Sequence, residues 1–306
     1  MSKILVTGAA GFIGRAVCQL VRKIGMDCVA IDKQASAPIS DEEDELARHA
    51  VLACDLTDSV SLDALFGSRT FDIVIHLAAV LPGAASRDPV PATNVNVGGS
   101  MALFQRATAH GVRRFVFGSS TSVYGSAGTN APISEQASAA PTDVYGAAKR
   151  AVEIVGENLR KNSRIEFVAL RIATVIGPGA RNTSSPWRSE IFEKLDNKQS
   201  VMLPYDPGDL LTVVHVNDVA CMLVTLAQAK SIQHTIYNTP AELLTAAQLK
   251  QAVESAAPET HIELSGRTRP LAPLADGSRF TREFGFEIKP LQRALGAALL
   301  RCSNQI

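Results

Sequence analysis

Lys3-Ile-Leu-Val-Thr-Gly8-Ala-Ala-Gly11-Phe-Ile-Gly14 opens the chain with an apolar run, three spaced glycines and an amphipathic stretch behind them. Ile4-Leu5-Val6-Thr7 reads as a buried strand, while Ile13, Val17, Leu20, Val21 and Ile24 fall on one helical face. Between strand and helix each glycine has a physical use: Gly8 permits a tight turn, Gly11 lets backbone approach a pyrophosphate, and Gly14 lets helix and strand pack closely. The helix N-terminus adds unpaired N–H donors and a partial positive charge. A glycine turn with no ligand is the plainer alternative, but the flanking strand and helix favour a dinucleotide site. Phe12, Ile13 and the three glycines are its expected contacts.

The next strand, Cys28-Val-Ala-Ile-Asp32, ends in an acid. A carboxylate there accepts hydrogen bonds from a ribose diol and repels a 2′-phosphate, which favours NAD over NADP. Lys33 softens that preference, since a cation tolerates phosphate. Asp55-Leu56 is expected near the adenine, with a helix cap before Ser61–Phe66 as the equal alternative for Asp55.

Further along, short apolar runs alternate with helical patterns, as in strand–helix–strand units around a parallel sheet. The expected strands are Lys3–Thr7, Cys28–Ile31, Ala50–Ala53, Ile73–Leu77, Arg114–Gly118, Phe167–Ile172 and Thr212–Val216. The fold class that follows is α/β, a Rossmann doubly wound parallel sheet with a smaller C-terminal substrate-binding lobe. Residues 1–176 plus 212–239 are assigned to the NAD-binding domain and 177–211 plus 240–306 to the lobe. Residues 34–49 are polar and acidic, a solvated excursion.

The 306 residues are 46% hydrophobic and 20% charged, the composition of an ordinary globular protein. Basic and acidic residues number 30 each, so no net field favours nucleic acid or an anionic membrane. Five scattered cysteines without a C-x-x-C pattern suit a reducing cytoplasm, and no metal site is expected. Met1-Ser-Lys-Ile-Leu-Val runs straight into the glycines, leaving no room for a signal peptide, and no uncharged run is long enough for a bilayer.

Tyr145-Gly-Ala-Ala-Lys149 places a phenol and an ammonium one helical turn apart. The motif is weak alone but strong behind the glycines and the upstream Ser119-Ser120. A free tyrosine titrates near 10, so making one a base at pH 7 takes roughly 4 kcal/mol. A neighbouring ammonium has the right sign to supply it. On the same helix Ala148, Val152, Val155 and Leu159 mark the buried stripe, with Glu153, Glu157 and Arg160 expected toward solvent.

With these elements in order, the chain resembles the extended short-chain dehydrogenase/reductases, also called the NAD-dependent epimerase/dehydratase family. His76-Leu-Ala-Ala79, Asn96-Val-Gly-Gly99, Gly118-Ser-Ser-Thr-Ser-Val-Tyr-Gly125, Leu170-Arg171, His215-Val-Asn-Asp218 and Asp276–Phe286 also match. The resemblance implies that Tyr145 is the general acid/base. It further implies that Lys149 lowers the phenol's pKa and holds the nicotinamide ribose, and that Ser120 hydrogen-bonds the reacting oxygen. Leu77, Ala78 and Ala79 would border the cofactor. Asn96 would tie strands together, while a satisfied buried histidine is the reading for His76 and an architectural role that for Tyr124. Helices around 93–110 and 146–161 pair across a two-fold axis in many relatives, which implies a homodimer.

Two departures bear on the substrate. Nucleotide-sugar members carry an aromatic-Asn pair where this chain reads Arg171-Ile-Ala-Thr174, and an Arg-Asp pair where it reads Leu211-Thr212. Without that guanidinium a major diphosphate contact is lost. Asn182-Thr-Ser-Ser-Pro-Trp-Arg188 instead looks like members that oxidise small polar metabolites. The expected activity is dehydrogenation of a secondary hydroxyl on a sugar acid, sugar or hydroxy amino acid. Ser120, Thr121, Ser86, Thr174, Arg181 and Arg188 are the candidate substrate contacts, although solvated arginine is the commoner state of each arginine alone. The alternative is a nucleotide-sugar 4-epimerase or 4-keto reductase. A non-catalytic cofactor-binding scaffold is the third reading, opposed by the intact Ser120, Tyr145 and Lys149.

Overall fold

The computed structural model describes residues 2–35, 50–125, 131–180, 185–195, 199–267 and 270–303. Among these, twelve strands run β1 (Lys3–Thr7), β2 (Asp27–Asp32), β3 (Leu52–Ala53), β4 (Ile73–His76), β5 (Arg114–Ser120), β6 (Glu166–Ile172), β7 (Thr174–Ile176), β8 (Ser200–Leu203), β9 (Leu210–His215), β10 (Ile236–Asn238), β11 (Glu242–Thr245) and β12 (His261–Leu264). Seven of them form one sheet in the order β10-β6-β5-β4-β1-β2-β3, every neighbouring pair parallel.

Alternation along each strand explains why both faces need cover. Ile4, Val6, Ile73, Ile75 and Val116 join one apolar cluster, with the Phe12–Lys23 and Val216–Gln228 helices laid over it. Leu5, Val74, Phe115 and Phe117 point into the opposite cluster, beneath the Ser59–Ser68, Ser100–Ala109 and Val144–Leu159 helices. Strands buried on both faces therefore read as unbroken apolar runs. A third cluster gathers Trp187, Ile191, Leu203, Leu211, Val213, Leu249, Ile262 and Leu295 around a three-stranded sheet (β11-β9-β7) and a pair (β12-β8).

The strand expected at Thr212–Val216 exists as β9, but it pairs with β7 and β11 and not with the large sheet. The seventh place in the large sheet is taken by β10, three residues beside β6. Most of the acidic excursion 34–49 lies outside the described residues. No described helix is long and apolar enough to cross a membrane.

The chain builds β1, β2 and β3 toward one edge and then returns to the other side of β1 for β4. Strand order reverses between β1 and β4. The region beyond the carboxyl ends of the strands at that reversal is the usual ligand position in open parallel sheets.

Candidate active site

At that reversal Gly8 has φ +68°, and a Cβ on it would stand 2.6 Å from the Ala78 backbone nitrogen. Gly14 is tighter still, since its Cβ would meet the Gly8 carbonyl oxygen at 2.1 Å. The Thr7 hydroxyl accepts from the Leu77 and Ala78 amides, both at 3.2 Å, drawing the end of β4 against the turn. Arg15 donates to the Ala10 carbonyl at 2.9 Å and also to the Gly179 carbonyl, linking the turn to the loop after β7. The result is a bare backbone cradle at a helix N-terminus, the shape and polarity a dinucleotide pyrophosphate requires.

Asp32 ends β2 beside this cradle, its carboxylate accepting from the Ala10 amide at 3.1 Å and the Lys33 amide at 2.8 Å. Lys33 turns its ammonium to Asp55, 3.5 Å away. That pairing leaves Asp32 as the charged group at the strand end facing the cradle. Asp55 is not a helix cap. It holds the Thr57 amide (2.9 Å) and hydroxyl (2.7 Å), and both contacts keep its carboxyl below the ordinary range. The cap of the Ser59–Ser68 helix is Asp58. Leu56 is buried against Gly99.

Ser119 and Ser120 close β5, and the two have different partners. Ser119 donates to Glu153 Oε1 at 2.6 Å. Ser120 faces the Tyr145 phenol and accepts from the Ser122 amide at 3.1 Å. The Val144–Leu159 helix starts at an Asp143 cap, which accepts from the Gly146 amide at 2.8 Å. A Cβ on Gly146 would lie 2.4 Å from the Ser122 carbonyl oxygen, so glycine is what lets the helix bring Tyr145 up to Ser120. One turn on, Lys149 is buried and donates to the Gly118 carbonyl at 2.7 Å, its Nζ 5.5 Å from the Tyr145 ring centroid.

Burial acts on the two groups in opposite directions. It pushes the Tyr145 phenol up to about 12, with Asp143 adding to the rise while Ser120 and Arg188 oppose it. It brings Lys149 down to about 7, against the supporting Glu153 carboxylate. In the protein alone desolvation governs the phenol, and the groups that oppose it are Ser120 and Arg188, not the Lys149 expected from sequence.

Glu153 corrects the sequence reading. It is 0% exposed and takes two hydrogen bonds from Arg171, Nε at 2.9 Å and Nη2 at 2.8 Å, plus Arg150 at 3.1 Å. Arg171 Nη1 continues to the Tyr124 hydroxyl at 2.8 Å, which donates to Asn238 Oδ1 at 2.8 Å. Burial disfavours the Arg171 charge, but Glu153 more than offsets it and holds the guanidinium above its ordinary range. Glu157 also turns inward, accepting from Thr235 at 2.6 Å, while Arg160 is exposed as expected. Leu159, placed on the buried stripe by sequence, is 42% exposed. The helix is rotated because Gly156 sits flush on Phe167, whose ring a Cβ there would meet at 2.4 Å. Two signals pointed to this: an arginine inside the apolar run Phe167–Ile172, and an acid one turn beyond Lys149.

His76 is fully buried between the Thr7 hydroxyl (2.6 Å) and the Ser100 hydroxyl (2.8 Å). Burial, then the Lys149 charge, pushes it down to about 3, so it is neutral. Asn96 clasps the Val80 amide (2.7 Å) and carbonyl (2.9 Å) within the π-turn Asn94–Gly99. On the substrate side, Thr121 and Thr174 are buried, and Ser86 is exposed on the short Pro82–Arg87 helix. Arg188 lies near Tyr145, while Arg181 is outside the described residues.

A glycine cradle at the strand reversal, with a serine–tyrosine–lysine set at the neighbouring strand end, defines an extended short-chain dehydrogenase type of site. The profile of the "NAD dependent epimerase/dehydratase family" matches residues 4–239. The chain belongs to that family. It is 33% identical over 187 residues to UDP-glucose 4-epimerase 2 of Oryza sativa subsp. japonica, covering 57% of this chain and 45% of that protein. The chain spans about half the length of the curated relatives it matches. Among solved structures, UDP-glucose 4-epimerase of Thermotoga maritima superposes with a TM-score of 0.84 at 22% identity, covering 99% of both chains. L-threonine dehydrogenase of Phytophthora infestans superposes at 0.86 with 20% identity, covering 100% of both. At those identities the two structures speak for the fold alone.

One consequence concerns cofactor choice. Asp32→Ala is expected to raise the Kd for NAD about 10-fold or more, by removing the acceptor that the sequence reading assigns to the ribose diol. The same change relieves repulsion of a 2′-phosphate, so the NAD/NADP affinity ratio falls further than NAD affinity alone. Fluorescence titration with both dinucleotides checks it, and an unchanged ratio refutes the role of Asp32.

Proposed function

We propose that the protein is a dehydrogenase acting on a secondary hydroxyl of a small polar substrate, with NAD as hydride acceptor. The observation that carries the choice of a small substrate is at Leu211 and Thr212. Both are buried at 4% exposure on β9, where nucleotide-sugar members would place a phosphate-binding arginine. Thr174 is buried in β7, paired with Val213, and offers no amide there.

In this reading Ser120 holds the substrate oxygen and Tyr145 takes its proton as the carbon–hydrogen bond breaks. Lys149, fixed by Gly118 and supported by Glu153, brings its amine beside the phenol and reaches the nicotinamide ribose. NAD, when bound, supplies the two-electron acceptor at the mouth of the cradle, together with a positive charge that favours the phenolate. Gly8, Gly11, Phe12, Ile13, Gly14, Asp32, Leu77, Ala78 and Ala79 are assigned to hold it. The 1–176 plus 212–239 and 177–211 plus 240–306 division, and a homodimer paired through the 93–110 and 146–161 regions, belong to the same proposal.

The curated relatives favour a second reading, a nucleotide-sugar 4-epimerase or 4-keto reductase, in which hydride returns to the sugar. Steady NADH formation with sugar acids, aldoses or hydroxy amino acids is the expected result for the first. A large rise in Tm with UDP, without net NADH from any alcohol, would replace it by the second.

A further inference from the structure

Arg188 is held differently from the surface arginine that sequence statistics favour. Its neighbours pin the backbone on both sides. Trp187 is buried in the lobe cluster, and the Ser189 hydroxyl accepts from the Gly179 amide at 2.8 Å. Between them the Arg188 carbonyl accepts from the Gly177 amide at 3.0 Å. The side chain therefore leaves from a fixed point on the lobe.

Its guanidinium lies close enough to the phenols of Tyr145 and Tyr205 for charge to be felt at both. Burial is the dominant influence on it and works against its charge. Nε is fully buried with no hydrogen-bond partner, and among the described residues no carboxylate pairs with the group. A guanidinium cannot shed its proton at physiological pH, so an unpaired one in a cleft is costly unless an anion arrives from outside. Three other deeply buried cations are answered internally, Arg171 by Glu153, Arg114 by Glu166, and Lys149 by the Gly118 carbonyl, whereas Arg22 on the Phe12–Lys23 helix also keeps a buried Nε and Nη2 without a partner.

We propose that Arg188 is the anchor for a substrate carboxylate, so that the substrate is a small hydroxy-acid anion whose reacting hydroxyl reaches Tyr145 while its carboxylate meets the guanidinium. The inference rests on the dehydrogenase reading above and narrows it: a neutral sugar or alditol leaves Arg188 unpaired, whereas a planar carboxylate matches its fork of N–H donors. The lobe would then contribute specificity through one fixed cation, while redox chemistry stays on the large sheet.

The test compares aldonates of three to six carbons with the alditols of equal length, in the full-length protein saturated with NAD. In the wild type, at least one aldonate is expected to raise Tm and to be oxidised with a kcat/KM about 10- to 100-fold above its alditol. In Arg188→Gln the aldonate-induced Tm shift disappears and that ratio falls toward unity. Arg188→Lys, which keeps the charge without the fork, recovers part of both. Equal binding of aldonates and alditols by the wild type, or an undiminished aldonate shift in Arg188→Gln, overturns the proposal. If alditols or aldoses yield NADH while no aldonate binds, the anchor fails and the dehydrogenase stands. If aldonates shift Tm but nothing yields NADH, the anchor stands and the dehydrogenase fails. Should Arg188→Gln not fold, the wild-type comparison and the lysine variant still decide the matter.

Discussion

Tyr145→Phe is expected to reduce kcat for NADH formation about 10³-fold while leaving the Kd for NAD within a few-fold of wild type. The phenylalanine ring fills the same space, so the Val144–Leu159 helix and its close approach to Ser122 are kept. What disappears is the phenol proposed as acid/base beside Ser120, and a positioned group of that kind supplies about 10²- to 10⁴-fold. The pH profile gives a second readout. Burial holds the Tyr145 phenol near 12 in the protein alone, so the base form is scarce at neutral pH. Alcohol oxidation should accelerate as pH rises from 6 toward 9, and the reverse carbonyl reduction, which needs the protonated phenol, should not. Residual activity in Tyr145→Phe should lose that slope. Near-full turnover in the variant would remove Tyr145 from the chemistry.

Glu153→Ala is expected to cost about 3–5 kcal/mol of stability, seen as a fall in Tm on the order of 5–10 °C. The carboxylate has no exposure and binds Arg171, Arg150 and Ser119 together. Removing it strands the Arg171 guanidinium, itself 2% exposed, between β6 and the helix. The double variant Glu153→Leu with Arg171→Met is the informative control. Replacing both partners by apolar groups leaves no charge uncompensated, so it should recover much of the lost stability. Its activity is predicted to stay low, because Lys149 loses the carboxylate that supports its charge. Recovery of Tm without recovery of kcat would separate the structural from the positioning role. Full recovery of both would show that Glu153 serves the fold alone.

Much of this architecture was legible before any coordinates. The run Lys3–Gly14 predicts strand, turn and helix in the places they occupy, because three spaced glycines after an apolar strand admit few other conformations. Arg114–Gly118 and Phe167–Ile172 were readable as doubly covered strands by their apolar continuity, and they lie within the longer β5 and β6. The sheet membership of β9 was not legible. Leu210–His215 has the composition of a core strand, and nothing local distinguishes a large sheet from a small one. The three residues of β10 are too few for periodicity to register. Glu153 was misplaced because helical faces were assigned by hydrophobicity. That rule fails where a glycine, here Gly156, sets which side lies against the sheet. Arg188 was weighed as surface for the same reason: a charged residue in a polar loop carries no local mark of an enclosed setting.

The late arrival of Ile236–Asn238 beside β6 has a consequence for biosynthesis. A nascent chain that has delivered everything through Ile172 still lacks the neighbour of Ala169–Arg171, whose amides and carbonyls stand open along one side. Unprotected apolar margins of this kind recruit other chains. The polypeptide must lay down β7, β8 and β9 before the margin is sealed, so a chain halted in that stretch presents an unpaired strand edge.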